Sequence, residues 1–248
     1  MVSRIQVSSR RLKALRSIEA VGREAVALAR QAVLIHRDVT VVMPRAEAGD
    51  DVVVFVHGLF ATAGVLRPLR EQIELYTGAR TATFTYAPGP SIERIAERLA
   101  ELVRALPQGI RIHLVGHSVG GLVSRWYVQE LGGDPRVVQT ISAGTPFGGT
   151  TRALLFPAPV GRDIVPGSFL LSRLRRSAHL GVPHFSIAGA DDQVVPHGAI
   201  FAAGEGIVIE GCGHNGLVYH PRTLSSVVGK VRAIQAAAAT CDALAQVG

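Results

Sequence analysis

The residue best placed for chemistry is a serine inside Gly-x-Ser-x-Gly, here Gly116-His117-Ser118-Val119-Gly120. With 27 glycines in 248 residues, the pentapeptide alone decides little. Its setting decides more: it follows the apolar run Ile112-His113-Leu114-Val115 and opens a helix-like segment at Val119. A sharp strand-to-helix turn there strains the backbone at Ser118, and Gly116 and Gly120 leave room for the crowded chain. The hydroxyl then projects above a sheet, beside a helix N-terminus that favours developing negative charge.

A hydroxyl becomes a nucleophile when a base takes its proton, and the base must be oriented by an acid. Nine histidines are available. His214 has the best setting, in the small-residue loop Glu210-Gly211-Cys212-Gly213-His214-Asn215-Gly216 just after the last strand-like run. Such loops, at the carboxyl ends of strands, are where α/β sheets build their sites. His220 is the rival, though it abuts Pro221 at a helix start. His57 reads as structural, and His36, His113, His179, His184 and His197 as surface or packing residues.

The acid should fall between serine and histidine in chain order. Asp191 and Asp192 follow the run ending Ile187-Ala188-Gly189. Asp192 is preferred because Asp-x-x-Val-Pro begins there, with Asp191 as the alternative. An oxyanion hole completes the set. Gly58 of His57-Gly58-Leu59 lets the chain turn so that the Leu59 amide faces a reacting carbonyl oxygen, and the Val119 amide is the second donor.

Positioning these groups requires alternating strands and helices. Residues 52–56, 81–86, 110–115, 136–142, 183–188 and 206–210 read as strands. Residues 68–76, 91–106, 119–131 and 221–239 read as helices, with Gly78 a stop signal and Ser91 a cap. That alternation predicts an α/β protein with a mostly parallel central sheet and helices on both faces. Upstream, Leu12, Leu15, Ile18, Ala25, Val26, Ala29 and Val33 recur at helical spacing, so residues 9–31 read as an amphipathic helix. A β-branched run over 33–42 reads as a first strand. The chain thus divides into residues 1–45, a basic helix and first strand, and residues 46–248, one catalytic domain. Residues 152–180, rich in proline and without a strand pattern, form a short cap- or lid-like insertion.

Hydrophobic residues make up 48% and charged residues 18%, enough apolar matter for a sizeable core and against global disorder. The net charge is +7, and residues 1–37, with eight basic and two acidic side chains, carry +6 of it. A basic arm can meet an anionic membrane, a nucleic acid or an acidic partner, or can be a solvated helix face. No nucleic-acid-binding motif accompanies it. Cys212 and Cys241 allow one bridge or none. Without a signal-peptide pattern or a run long enough to span a bilayer, the expected location is cytoplasmic, with peripheral membrane contact through the basic helix.

His57-Gly58-Leu59, the Gly116–Gly120 pentapeptide with Gly121-Leu122 behind it, Gly144-Thr145-Pro146-Phe147-Gly148-Gly149-Thr150, Asp192 and Gly213-His214 occur in that order. Together they resemble the α/β-hydrolase superfamily, and within it the bacterial lipase and esterase group related to triacylglycerol lipases and GPI-inositol deacylases. The resemblance covers about residues 50–240 and leaves residues 1–45 outside. It implies Ser118 as nucleophile, His214 as base, Asp192 as orienting acid, and no organic cofactor; calcium supports some bacterial lipases, but no residue cluster here specifies a metal. In such relatives the segment after Gly-Thr-Pro forms a lid or acyl-chain wall. Here that segment is 152–180, whose apolar side chains are edged by Arg173, Arg175 and Arg176. Phe60, Phe147, Phe169 and Leu170 are the candidate substrate-binding side chains. The expected activity is hydrolysis of small-molecule or lipid esters with apolar acyl chains through an acyl-enzyme. An acyltransferase or thioesterase using the same residues, and a non-catalytic lipid-binding module, are the rival readings.

Overall fold

Among the described residues six strands pair into one sheet in the order β2-β1-β3-β4-β5-β6, with every neighbouring pair parallel. They are β1 (Asp51–Val56), β2 (Arg80–Phe84), β3 (Arg111–His117), β4 (Val137–Ala143), β5 (His184–Gly189) and β6 (Glu205–Ile209). Among the described residues there are seven α-helices: α1 (Ser9–Leu34), α2 (Arg67–Thr77), α3 (Ile92–Ala105), α4 (Val119–Glu130), α5 (Pro159–Asp163), α6 (Phe169–Arg176) and α7 (Pro221–Ala245). This computed structural model describes residues 9–195 and 200–245, without the side chains of 9–18, 242, 244 and 245. Arg4, Pro196 and His197, and the side chains of Leu12, Leu15 and Ile18, therefore lie outside the described residues.

The unbroken apolar character of β1 follows from burial on both faces. Val52, Val54 and Val56 enter a core shared with Ile95 and Leu99 of α3 and Leu122 of α4. Val53 and Phe55 enter a second core with Leu69 and Ile73 of α2 and Val227 and Val231 of α7. Local chemistry ends the helices as the residue types require. Gly78 closes α2 at φ 68, which costs a residue without Cβ little. Ser91 accepts the Arg94 amide at the start of α3.

Parallel strands bring all their carboxyl ends to one edge, so the loops after β1, β3, β4, β5 and β6 converge there. The chain also reverses its direction of winding between β1 and β3, which opens a crevice at that edge.

One expectation fails upstream of the sheet. Residues 33–42 form no strand: α1 runs through Leu34, and Val42 makes a single bridge to Thr83. The described part of the apolar stripe of α1 faces outward. Val26 and Val33 are exposed, whereas Ala20 and Ala27 are buried. The docked face carries small residues because α1 lies close over a loop, as described below. Cys212 is buried and Cys241 exposed, and both are free thiols. Among the described residues no helix is long and apolar enough to cross a membrane.

Candidate active site

The turn after β3 is the sharp elbow the glycines require. Ser118 sits at φ 53 and ψ −125, a conformation that costs an L-residue of order 1–3 kcal/mol and persists only when its surroundings over-determine it. They do so here. The Ser118 amide donates to the Ala143 carbonyl at 2.8 Å, and the Thr145 hydroxyl donates to the Ser118 carbonyl at 2.8 Å. A Cβ on Gly116 would lie 2.4 Å from the Gly121 nitrogen, and one on Gly120 would lie 2.1 Å from the Val56 carbonyl oxygen. Gly120→Ala is therefore expected to destabilise the fold by about 3 kcal/mol, the upper end of what overpacking costs. Gly229→Ala, where a Cβ meets nothing within 4 Å, should be neutral or stabilising. Urea unfolding of the two variants checks the contrast.

The structure brings Ser118, His214 and Asp192 together from the ends of three strands. The His214 Nδ1–H donates to Asp192 Oδ2 at 2.7 Å, and the Ser118 hydroxyl faces His214 Nε2 at 3.1 Å. All three side chains are buried. Burial alone would raise the Asp192 carboxyl, but the His214 hydrogen bond and charge and the Val195 and Val194 amides outweigh it, so it lies below its ordinary value. Those amides donate to Asp192 Oδ1 at 2.7 and 2.8 Å. The Asp-x-x-Val spacing thus wraps the carboxylate in its own following backbone, and Asp191 next door is only partly buried. A carboxylate at Nδ1 fixes the tautomer that leaves the Nε2 lone pair free to take the serine proton.

The Gly-Thr-Pro segment after β4 serves both sides of this arrangement. Gly144, at φ 61, lies against the imidazole: a Cβ there would sit 3.1 Å from His214 Nδ1. Thr145 grips the elbow carbonyl, and Pro146 lines the pocket. After β1, Gly58 packs directly on the elbow, with a would-be Cβ 3.0 Å from Ser118 Cβ. Leu59, the next residue, lines the same cleft as Ser118 and Val119.

Two histidines beside the site are structural. The His57 ring stacks on Tyr86 at 4.2 Å, donates from Nδ1 to the Gly58 carbonyl and accepts the Tyr86 amide at Nε2. Burial lowers it to about 4, so it is neutral near pH 7. His117 donates from Nε2 to the His214 carbonyl at 3.1 Å. Burial, helped by the neighbouring His214, lowers it to about 3. His220 accepts the Arg222 amide at the start of α7 and does not line the serine's cleft.

That cleft has a volume of about 250 Å³ and is walled by Leu59, Phe60, Ala153, Phe156, Ile164 and Val195. Of the four candidate substrate-binding side chains, Phe60 lines this cleft, edge-on to Phe156 at 4.7 Å and itself at φ 58. Phe147, Phe169 and Leu170 do not line it. Phe147 packs on His184 and Phe201, Leu170 is buried in the α3–α4 core, and Phe169 is exposed beside another cleft. The reason is that α6 turns its apolar face down onto the core, leaving the turn Thr151–Leu155 and α5 to wall the site. Phe156 and Ile164 carry that wall. Gln31 of α1 also reaches the cleft, and no local sequence pattern signals it.

Comparison with known proteins places these features. Residues 46–150 match the family model described as "Putative serine esterase (DUF676)". No curated protein matches. Among solved structures, the mature lipase BlEst2 of Bacillus licheniformis is similar with a TM-score of 0.64 and 16% identity, covering 77% of this chain and 97% of that one. A carboxylesterase structure from the thaumarchaeon Nitrososphaera gargenis reaches a TM-score of 0.60 at 15% identity, covering 79% and 94%. The hyperthermophilic esterase of Pyrobaculum calidifontis reaches 0.54 at 14%, covering 91% and 93%. At these identities the likeness establishes the fold. The chain is a protein of the α/β-hydrolase fold, and its residues 46–150, from the start of the sheet through the Gly-Thr-Pro segment, are similar to a serine esterase family.

Proposed function

We propose that the protein is a serine hydrolase that cleaves carboxylic esters with apolar acyl chains through an acyl-enzyme. The observation that carries this reading is the relay from Asp192 through His214 to Ser118, at 2.7 and 3.1 Å, opening into an apolar cleft. The family match and the lipase and esterase neighbours support ester hydrolysis at the coarser level.

In this mechanism Ser118 Oγ attacks the ester carbonyl carbon as His214 Nε2 takes its proton. The Leu59 and Val119 amides receive the oxyanion, a contribution worth about 3 kcal/mol for a single donor. His214 then protonates the leaving alkoxide, and the alcohol departs. Water, deprotonated by the same imidazole, attacks the acyl-enzyme and releases the acid. Asp192 stays ionised throughout and holds the imidazolium.

The cleft volume of about 250 Å³ falls below the ~300–1,000 Å³ usual for drug-sized ligands. Short and medium chains should therefore fit best. With p-nitrophenyl esters from acetate to palmitate, kcat/KM is expected to peak between butyrate and octanoate and to fall at least about tenfold by palmitate, a loss of about 1.4 kcal/mol of transition-state binding. A maximum at palmitate would contradict the assignment of this cleft as the acyl site.

A further inference from the structure

Helix α1 lies outside the segment that matches the esterase family, yet it is bonded to the loop that carries His214. Its Glu24 accepts the Asn215 amide at 2.8 Å and the Asn215 side-chain amide at 2.8 Å through Oε1, and the Gly216 amide at 3.0 Å through Oε2. Two of those donors are the backbone groups immediately after His214. The loop is shaped for the carboxylate, since a Cβ on Gly213 would lie 2.5 Å from Glu24 Oε2. The helix itself is held in register further along. The Thr62 hydroxyl donates to the Ile35 and Arg37 carbonyls, and Gly64 admits the Leu34 carbonyl where a Cβ would lie 2.3 Å from it. Ala20 and Ala27, one turn either side of Glu24, are buried small residues that let the helix come this close.

We infer that Glu24 is a positioning residue that holds the loop bearing the His214 imidazole, which makes α1 a working part of the site. The inference rests on the reading of His214 as general base. The loop between β6 and α7 is otherwise held by the Asp191 amide on the Cys212 carbonyl, by the His214 ring on Asp192 and the His214 carbonyl on His117, and further on by Leu217 and Val218 buried in the core. Between the imidazole and that core anchor, Glu24 takes the backbone amides of Asn215 and Gly216. Without it the imidazole can drift relative to Ser118, and a misplacement of about 1 Å in such a site can cost about 100-fold in rate. Glu24 does not line the acyl cleft, so substrate binding should be spared.

The test compares the native 248-residue chain with Glu24→Ala, Glu24→Asp and Glu24→Gln in p-nitrophenyl butyrate turnover and in the rate of labelling by a fluorophosphonate. Glu24→Ala is expected to lower kcat and the labelling rate about 10- to 100-fold with KM within about threefold of native. Glu24→Asp, one methylene too short, should resemble it. Glu24→Gln keeps an acceptor for Asn215 and should recover most of the rate. Glu19→Ala, one turn away on the exposed surface, is the control and should match native. Native kcat and labelling rate in folded Glu24→Ala, or in Glu24→Asp should the alanine variant not fold, would overturn the positioning role. If the native protein itself neither turns over nor labels at Ser118, the hydrolase reading falls and takes this inference with it.

Discussion

Ser118→Ala is expected to lower p-nitrophenyl ester turnover at least about 10⁴-fold while the protein still folds. The hydroxyl is the atom that bonds to substrate, and alanine retains the Cβ that the elbow packs against Gly58. The strained φ of 53 is unchanged by the substitution, so the melting temperature should move little. Asp192→Asn should cost about 10³- to 10⁴-fold for a different reason. With an amide NH₂ turned toward Nδ1, the imidazole must carry its proton on Nε2, where it cannot take one from serine. Steady-state kinetics on both variants measure this, and an Asp192→Asn enzyme with native kcat would show that the carboxylate does not set the tautomer.

The second large effect is on stability in acid. His57 and His117 are buried and lowered to about 4 and about 3, and burial also pushes His184 well below its ordinary value. All three are neutral in the folded protein and protonate near 6.5 once unfolded. As pH falls below 6.5 the unfolded chain takes up protons that the folded one refuses, so stability is full above that value and declines toward pH 4. Three such groups remove up to about 4 kcal/mol per pH unit, or about 5 kcal/mol between pH 7 and pH 5. Asp163, whose carboxyl is raised by burial, opposes this as one group against three. Asp51 and Asp192, both lowered, add their loss only in the carboxylate range further down. Because folded domains hold about 5–15 kcal/mol in total, the protein should be close to unfolding at pH 5. Denaturant unfolding at pH 7, 6 and 5 checks this, and a change below about 1 kcal/mol across that range would contradict it.

Much of the site's frame is legible in the sequence because it is local. The unbroken apolar run of β1 signals two-sided burial, and the glycines flanking Ser118 stand where any Cβ would strike the backbone of Val56 or Gly121. Asp192 is separable from Asp191 because its following residues fold back as amide donors. What escapes the sequence is decided by packing between distant segments. Glu24 meets Asn215 across 191 positions, and nothing near either residue announces the pairing. The apolar periodicity of α1 does not single out its docked face either, since close approach to the loop selects Ala20 and Ala27 while Val26 and Val33 stay exposed. Phe147 and Phe169 carry the right chemistry for an acyl wall, but α6 and the His184–Phe201 cluster place them elsewhere. The part of Gly144-Thr145-Pro146 in seating the imidazole and gripping the elbow emerges only when β4 is laid beside β3.

The most direct measurement of whether Ser118 is an activated nucleophile is stoichiometric reaction of the native protein with a fluorophosphonate, followed by peptide mapping. One equivalent bound at Ser118, abolished by Ser118→Ala and slowed at least about 100-fold by His214→Ala, is the expected result. A native protein that stays unlabelled, or that is labelled at another residue while Ser118→Ala keeps its esterase activity, would contradict it.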